Sequence, residues 1–296
     1  MPDPALSLLR LGSTLYMPAL RPDLAEVGNG SKYPGLRSLI YCTGDSVLER
    51  DLPQALDTLA EALPRLEPAA VKRFIRPRNP EILSRLLKFT GMEKISGFVI
   101  PKADLRTLPA YCTLLEPQTR FSLMLTLETE AVFDRISLHR LRSFLVHSPL
   151  RERITALRIG AQDLLSLMGL RREPGVTIYE TPLGFIIDQI LTVFRPAGFA
   201  LAAPVFEYFD DPGLLRRELE TDISRGLYGK AALHPAQLEI ISAAYKVSRE
   251  DLEAARAVLD PDRPAVFRLQ DRMYEKTVHW RWAQSMKQRA ELYGLR

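Results

Sequence analysis

Cysteine, histidine and long apolar runs are all scarce in this sequence, and each shortage removes a class of function. Cys42 and Cys112 are its two cysteines, too few for a disulfide framework, and neither stands in a C-x-x-C pair that would suggest a zinc or redox centre. His139, His147 and His279 show no metal-ligand spacing and read as surface or interface histidines. His234 precedes Pro235 at the start of a helical pattern, where a structural role fits better than a general base. No stretch approaches the ~20 uninterrupted apolar residues that a membrane-spanning helix needs, and no basic segment leads into an apolar secretory core. The expectation is a cytoplasmic protein with reduced thiols and no membrane partner. A dominant charge sign is missing too: 40 Lys and Arg against 36 Asp and Glu leave a net charge of +4. Nucleic acid is therefore not required as a partner, and pairs such as Arg171-Arg172 read as solvated faces. An anionic small substrate fits the same surplus. There is no internal repeat and no low-complexity tract.

What is present is an ordinary globular composition, 46% hydrophobic and 26% charged over 296 residues, enough for one α/β barrel and a tail. Short apolar runs alternate with longer amphipathic stretches, the pattern of parallel strands separated by helices. The candidate strands are Thr14–Met17, Ser38–Cys42, Arg73–Arg76, Gly97–Ile100, Ser122–Leu127, Ala156–Ile159, Ala200–Val205 and Ala231–Leu233. Several are apolar throughout, as expected of strands buried on both faces. Helical spacing covers Glu130–Phe144, Leu183–Phe194, Leu214–Arg225, Ala236–Tyr245 and Arg249–Leu259, the last with Ser248 as its N-cap. Tyr179-Glu180-Thr181-Pro182 reads as a capping sequence. The predicted fold is a (β/α)₈ TIM barrel over residues 1–259. Asp260-Pro261-Asp262-Arg263-Pro264 breaks the pattern, and residues 260–296 form a helical, aromatic-rich C-terminal extension. Its Phe267, Tyr274, Trp280, Trp282 and Tyr293 are too apolar for a loose tail and are expected on the barrel or a neighbouring subunit.

In TIM barrels the reacting groups stand at the C-terminal ends of strands. Here Arg76, Lys102, Glu128 and Asp163 each follow a candidate strand. Two carboxylates on neighbouring strand ends, without Cys or His, offer hard oxygen ligands that suit Mg²⁺ or Mn²⁺ better than zinc. A 2-hydroxy or 2-oxo acid could complete the coordination while Arg76 neutralises its carboxylate. Acids at strand ends also cap helices, so it is the joint occurrence with Arg76 that gives the set its weight. Lys102 and Lys230 raise Schiff-base chemistry, which the carboxylates make redundant; Lys230 is expected to pair with an acid near strand eight.

These residues resemble the HpcH/HpaI aldolase and citrate lyase β-subunit superfamily, on the citrate lyase side. Leu127-Glu128-Thr129 is similar to its Ile-Glu-Thr, Gly160-Ala161-Gln162-Asp163-Leu164 to its Gly-x-x-Asp-Leu, and Pro101-Lys102 to its Pro-Lys. The most specific match is Gly226-Leu227-Tyr228-Gly229-Lys230-Ala231-Ala232-Leu233-His234-Pro235-Ala236-Gln237. Arg272-Met273-Tyr274-Glu275-Lys276 resembles the C-terminal Met-[Val/Ile]-Asp-Lys-Pro. The resemblance implies a Mg²⁺-dependent carbon–carbon lyase of a small hydroxy or oxo acid, or its thioester. By it Glu128 and Asp163 are the metal ligands, Arg76 binds the substrate carboxylate with Arg78 as rival, and Ala161, Gln162 and Lys102 face the substrate. Glu275 replaces a family Asp that reaches a neighbouring subunit's site as acid or base, which implies a homo-oligomer, a trimer or hexamer.

Two departures limit the analogy. Where the family has Asp-Leu-Glu-Asp-Ala after strand two, this chain has Cys42-Thr43-Gly44-Asp45-Ser46, so Asp45 alone is retained as a catalytic candidate. The first strand lacks the arginine and glycine of Arg-Ser-Leu-Leu-Phe-Val-Pro-Gly, which weakens any inference of coenzyme A binding. Such departures resemble a divergent branch that accompanies bacterial tellurite and stress-resistance gene clusters. Related enolate chemistry, either thioester hydrolysis or condensation, and a silent barrel acting as an assembly partner stand as alternatives.

Overall fold

Eight short strands carry the apolar runs: β1 (Thr14–Pro18), β2 (Ser38–Cys42), β3 (Lys72–Arg76), β4 (Gly97–Ile100), β5 (Ser122–Leu127), β6 (Ile154–Ile159), β7 (Leu201–Ala202) and β8 (Ala231–Ala232). The structure, a computed structural model, describes residues 5–296. The strands are parallel and ordered β7-β6-β5-β4-β3-β2-β1-β8. The ring closes between β7 and the segment before β8, where Ala202 bridges Tyr228 and the Ala203 N–H donates to the Tyr228 carbonyl at 3.1 Å. The predicted seventh strand, Ala200–Val205, is shorter in the ladder because Ala203 is committed to that closure and Pro204 has no N–H to give.

Among the described residues twelve α-helices accompany the strands. The first six are α1 (Ala5–Leu11), α2 (Leu24–Gly28), α3 (Leu52–Ala62), α4 (Pro80–Leu86), α5 (Leu108–Leu115) and α6 (Arg135–His147). The rest are α7 (Ala161–Leu167), α8 (Leu183–Phe194), α9 (Pro212–Ser224), α10 (Gln237–Ala244), α11 (Arg249–Leu259) and α12 (Lys276–Tyr293). The expected helix at Glu130–Phe144 starts later, because the Asp134 carboxylate accepts the Ile136 and Ser137 amides and leaves a short 3₁₀ turn at Glu130–Val132. Ser248 caps α11 as expected, accepting the Asp251 amide at 3.0 Å. The Tyr179-Glu180 turn is capped reciprocally by Thr177 and Glu180.

Register decides which side chains face the barrel interior, since partners in a parallel ladder share a face. Thr126 of β5 is level with Arg158 of β6, and Arg158 with Ala202 of β7. The Arg158 guanidinium lies over the Tyr16 ring of β1, so this face points inward. Tyr41, on the opposite face of β2, donates instead to the Leu24 carbonyl of α2.

Beyond residue 260 the expected helix is preceded by an antiparallel hairpin, β9 (Val266–Leu269) and β10 (Arg272–Glu275). Alternation of Phe267 and Leu269 with polar neighbours is the strand pattern that the aromatic content concealed. Tyr274 stacks on Phe267 and Trp282, and with Val247, Leu252, Val258 and Met286 these build a small core shared with α11. The far end of α12 is tied to the barrel by Arg37, which donates to the Leu292 carbonyl at 2.6 Å, and by Tyr293, which donates to the Leu9 carbonyl.

Candidate active site

Arg76, the last residue of β3, is buried and reaches across the barrel mouth. Its Nη2 donates to Glu128 Oε1 at 2.8 Å and forms an ion pair with Asp45 Oδ2 at 2.7 Å. Its Nε is buried without a partner. Burial works against the Arg76 charge, but the surrounding Tyr16, Glu128, Cys42 and Asp45 outweigh it and raise its pKa. Arg78 points elsewhere: its Nη2 donates to the carbonyls of Gly44, at 3.3 Å, and Val47, holding the loop that carries Asp45.

Glu128 follows β5 and is almost fully buried. Lys102, in a left-handed conformation with φ 47° after β4, turns its N–H onto Glu128 Oε1 at 2.8 Å. Its ammonium stands 3.3 Å from Asp163 Oδ1. Lys102 thus clasps one carboxylate with backbone and the other with side chain. Burial lowers its pKa, yet Asp163 together with Asp45 and Glu128 outweighs it and the net shift is upward, opposite to what a Schiff-base lysine needs. For Glu128, burial is the largest influence and its pKa is raised in spite of Arg76. Gly160 permits the packing: a Cβ there would lie 2.4 Å from Glu128 Oε2.

Asp163 and Gln162 are in the first turn of α7, with Ala161 buried at its start and Gln162 exposed. The structure therefore brings Asp45, Arg76, Lys102, Glu128 and Asp163 into one connected set. Glu275 is not in it. It ends β10, where its backbone N–H and carbonyl both meet His279 Nδ1.

The donor set fits a hard dication. Among the described residues no group of three or more His, Cys, Asp or Glu side chains is placed to hold a metal. Glu128 and Asp163 would be the residues to hold Mg²⁺, an ion commonly bound by one or two carboxylates with water and substrate completing the shell.

A second charged cluster lies between α9 and β8. Lys230 is fully buried and donates to Glu218 at 2.8 Å and Asp222 at 3.0 Å. Arg172 pairs with Glu218 and Glu207, and Tyr179 donates to Asp222. Arg172 is thus 3% exposed, which corrects its reading as a solvated charge. Burial, reinforced by Glu218 and opposed by Lys230, pushes the Asp222 carboxyl up to about 6. The signal for these acids was their spacing: Glu218 and Asp222 fall on the same inward stripe as Leu215 and Leu219.

A (3S)-malyl-CoA thioesterase from Cereibacter sphaeroides is 24% identical over 244 residues, covering 82% of this chain and 80% of that protein. An L-malyl-CoA/β-methylmalyl-CoA lyase from Rhodobacter capsulatus is 24% identical over 243 residues, covering 73% of each. The solved structure of CitE from Mycobacterium tuberculosis, in complex with magnesium, acetoacetate and coenzyme A, matches with a TM-score of 0.69 at 20% identity, over 96% of this chain and 99% of that one. The model of the C–C bond lyase family of the TIM-barrel fold matches residues 5–295, and the chain belongs to that family.

Proposed function

We propose that this carbon–carbon lyase works with Mg²⁺, cleaving or in reverse forming a bond in a small hydroxy or oxo acid, or in its thioester, through an enolate. The observation that carries the reading is the single connected set at the mouth: a buried guanidinium with an unpartnered Nε beside two carboxylates on adjacent strand ends. Held by Glu128 and Asp163, the cation would supply Lewis acidity toward the substrate oxygen on the carbon that reacts. Arg76 binds the substrate carboxylate through its free guanidinium edge, and Asp45, more than half exposed, yields its place when the acid enters. Lys102 keeps Glu128 oriented, and the backbone at Ala161–Asp163 lines the substrate.

Arg76→Met is expected to weaken binding of a small oxo acid at least a hundredfold by calorimetry while leaving Mg²⁺ affinity within about threefold. Arg78→Met, which loosens only the Asp45 loop, should cost under tenfold. A larger loss from Arg78 than from Arg76 would assign the carboxylate to the wrong arginine. Thioester hydrolysis is the second reading, favoured by the thioesterase among the relatives. Release of free thiol without a cleaved carbon skeleton, followed by NMR, would select it.

Glu275 completes the site from another copy in this proposal, moving a proton to or from the substrate carbon. It is the N-cap of α12, whose length places it about 27 Å from the end anchored at Tyr293. Met273, Val278 and Trp280 around it are exposed, an apolar surface suited to a homo-oligomeric contact in a trimer or hexamer. Mixing inactive Glu275→Gln chains with inactive Glu128→Gln chains under subunit exchange is expected to restore up to about a quarter of wild-type turnover. No recovery despite demonstrated exchange, or a strictly monomeric protein, defeats the assignment.

A further inference from the structure

Resting on the small-acid reading above, we propose that the barrel contains a second anion-binding subsite, built on Arg158 with Thr126 and Tyr16, that receives a second carboxylate of the substrate.

Arg158 is a charged residue inside a barrel strand and is only 4% exposed. Among the described residues its one hydrogen-bonding neighbour is a thioether, Met124 Sδ at 3.6 Å from Nη1, and it faces the Tyr16 ring with 5.8 Å to the centroid. Among the described residues it forms no ion pair. Each of the other buried arginines has oxygen partners. Arg172 has Glu207 and Glu218, Arg76 has Asp45 and Glu128, Arg73 meets three backbone carbonyls, and Arg289 meets two. A buried guanidinium against sulfur is costly unless an anion arrives to meet it.

Its surroundings are short of partners in the same way. Thr126, level with Arg158 on the adjacent strand and on the same inner face, has a buried hydroxyl with no hydrogen bond. Ala202, level with it on the other side, brings no charge. Burial raises the Tyr16 pKa, so its phenol is a neutral donor beside the two arginines. Thr126 lies two residues below Glu128 on one strand face, which sets the subsite about 7 Å deeper than the metal carboxylate. A dicarboxylate of about four or five carbons spans that depth.

Charge points the same way. Arg76, Lys102 and Arg158 balance Asp45, Glu128 and Asp163, so a divalent cation leaves a surplus of two positive charges. A substrate with two carboxylates neutralises it, whereas a monoacid leaves half of it inside the barrel.

The test is calorimetric titration of the full chain with Mg²⁺, using matched pairs: 2-oxoglutarate against 2-oxovalerate, and succinate against butyrate. The diacid of at least one pair should bind at least tenfold more tightly. Arg158→Met should bring that ratio within twofold while monoacid and Mg²⁺ affinities change less than twofold, and Arg158→Lys should restore part of it. Ligand-free Arg158→Met should melt no lower than wild type, because it removes an unpaired buried charge. A wild-type ratio within twofold for both pairs, or a preference that survives Arg158→Met, overturns the subsite and leaves the lyase reading standing. A variant that melts several degrees lower and loses mono- and diacids alike identifies Arg158 as a structural plug and also overturns it. Wild-type protein that binds none of the four acids with Mg²⁺ present overturns both proposals.

Discussion

Replacing Glu128 with Gln and Asp163 with Asn together is expected to weaken Mg²⁺ binding at least a hundredfold, to the limit of detection by calorimetry. The reason lies in how little the protein contributes to the shell. The third carboxylate at the mouth, Asp45, is engaged by Arg76, so replacing the other two leaves mainly neutral amide oxygens for a cation that prefers charged oxygen. The single variants should differ. Glu128 is buried and held by Arg76 and the Lys102 amide, so Glu128→Gln is expected to weaken acid binding at Arg76 as well as Mg²⁺ binding. Asp163 is partly exposed, and among the described residues its one side-chain partner is the Lys102 ammonium; removing it frees that ammonium and should spare acid binding at Arg76 in metal-free protein. Urea titration of the double variant should stay within about 2 kcal/mol of wild type, since the substitutions keep the side-chain volumes. Full Mg²⁺ affinity in a folded double variant would place the metal elsewhere.

The carboxylates were legible because strand ends are legible. A run such as Ser122–Leu127, buried on nearly every side chain, announces its own termination, and the first polar residue after it, Glu128, must lie at the mouth. The same reasoning found Arg76, Lys102 and Asp163. It could not decide between Arg76 and Arg78, because that choice depends on carbonyls that fold places within reach: Gly44 and Val47 capture Arg78 and leave Arg76 for the acids. Residues inside elements were harder. Arg158 sits within an otherwise apolar strand, and Glu218 and Asp222 within an amphipathic helix, so periodicity assigned their elements correctly and said nothing of their partners. Arg172 was misread because two adjacent arginines look solvated, whereas Glu207 and Glu218 come from segments that only tertiary structure brings to them. The C-terminal hairpin escaped for a related reason. Its stacking of Tyr274 between Phe267 and Trp282 is a tertiary arrangement that aromatic content alone does not reveal.

Lys230→Met is expected to be the most destabilising single change in the molecule, by about 3–5 kcal/mol at pH 8, with a fall of roughly 10 °C in melting temperature. Lys230 is the cation to which both Glu218 and Asp222 are anchored, and all three are closed to water. Methionine matches its length but leaves Asp222 with the Tyr179 hydroxyl as its remaining partner, while Arg172 still serves Glu218. The size of the defect should depend on pH in a direction that the Asp222 carboxyl fixes. Its folded pKa, about 6, lies above the 3.8 of a free carboxyl. A group raised in this way favours the folded state below its unfolded pKa and loses that contribution as pH climbs through the folded value. Without Lys230 the folded value moves higher still, so the variant goes on losing stability above pH 6, where the wild-type loss has levelled off. Lys230 itself is raised above 10.5 by its two acids, against burial, and stays charged across this range, adding no slope of its own. The gap between wild type and Lys230→Met should therefore widen from pH 5 to pH 8. It should narrow again when Asp222→Asn is added to the variant, because the second change removes the carboxylate left without its cation. Urea denaturation of the three proteins at both pH values provides the measurement. A gap of less than 1 kcal/mol, or one unchanged between pH 5 and pH 8, would mean that the cluster is not the buried charge balance its geometry describes.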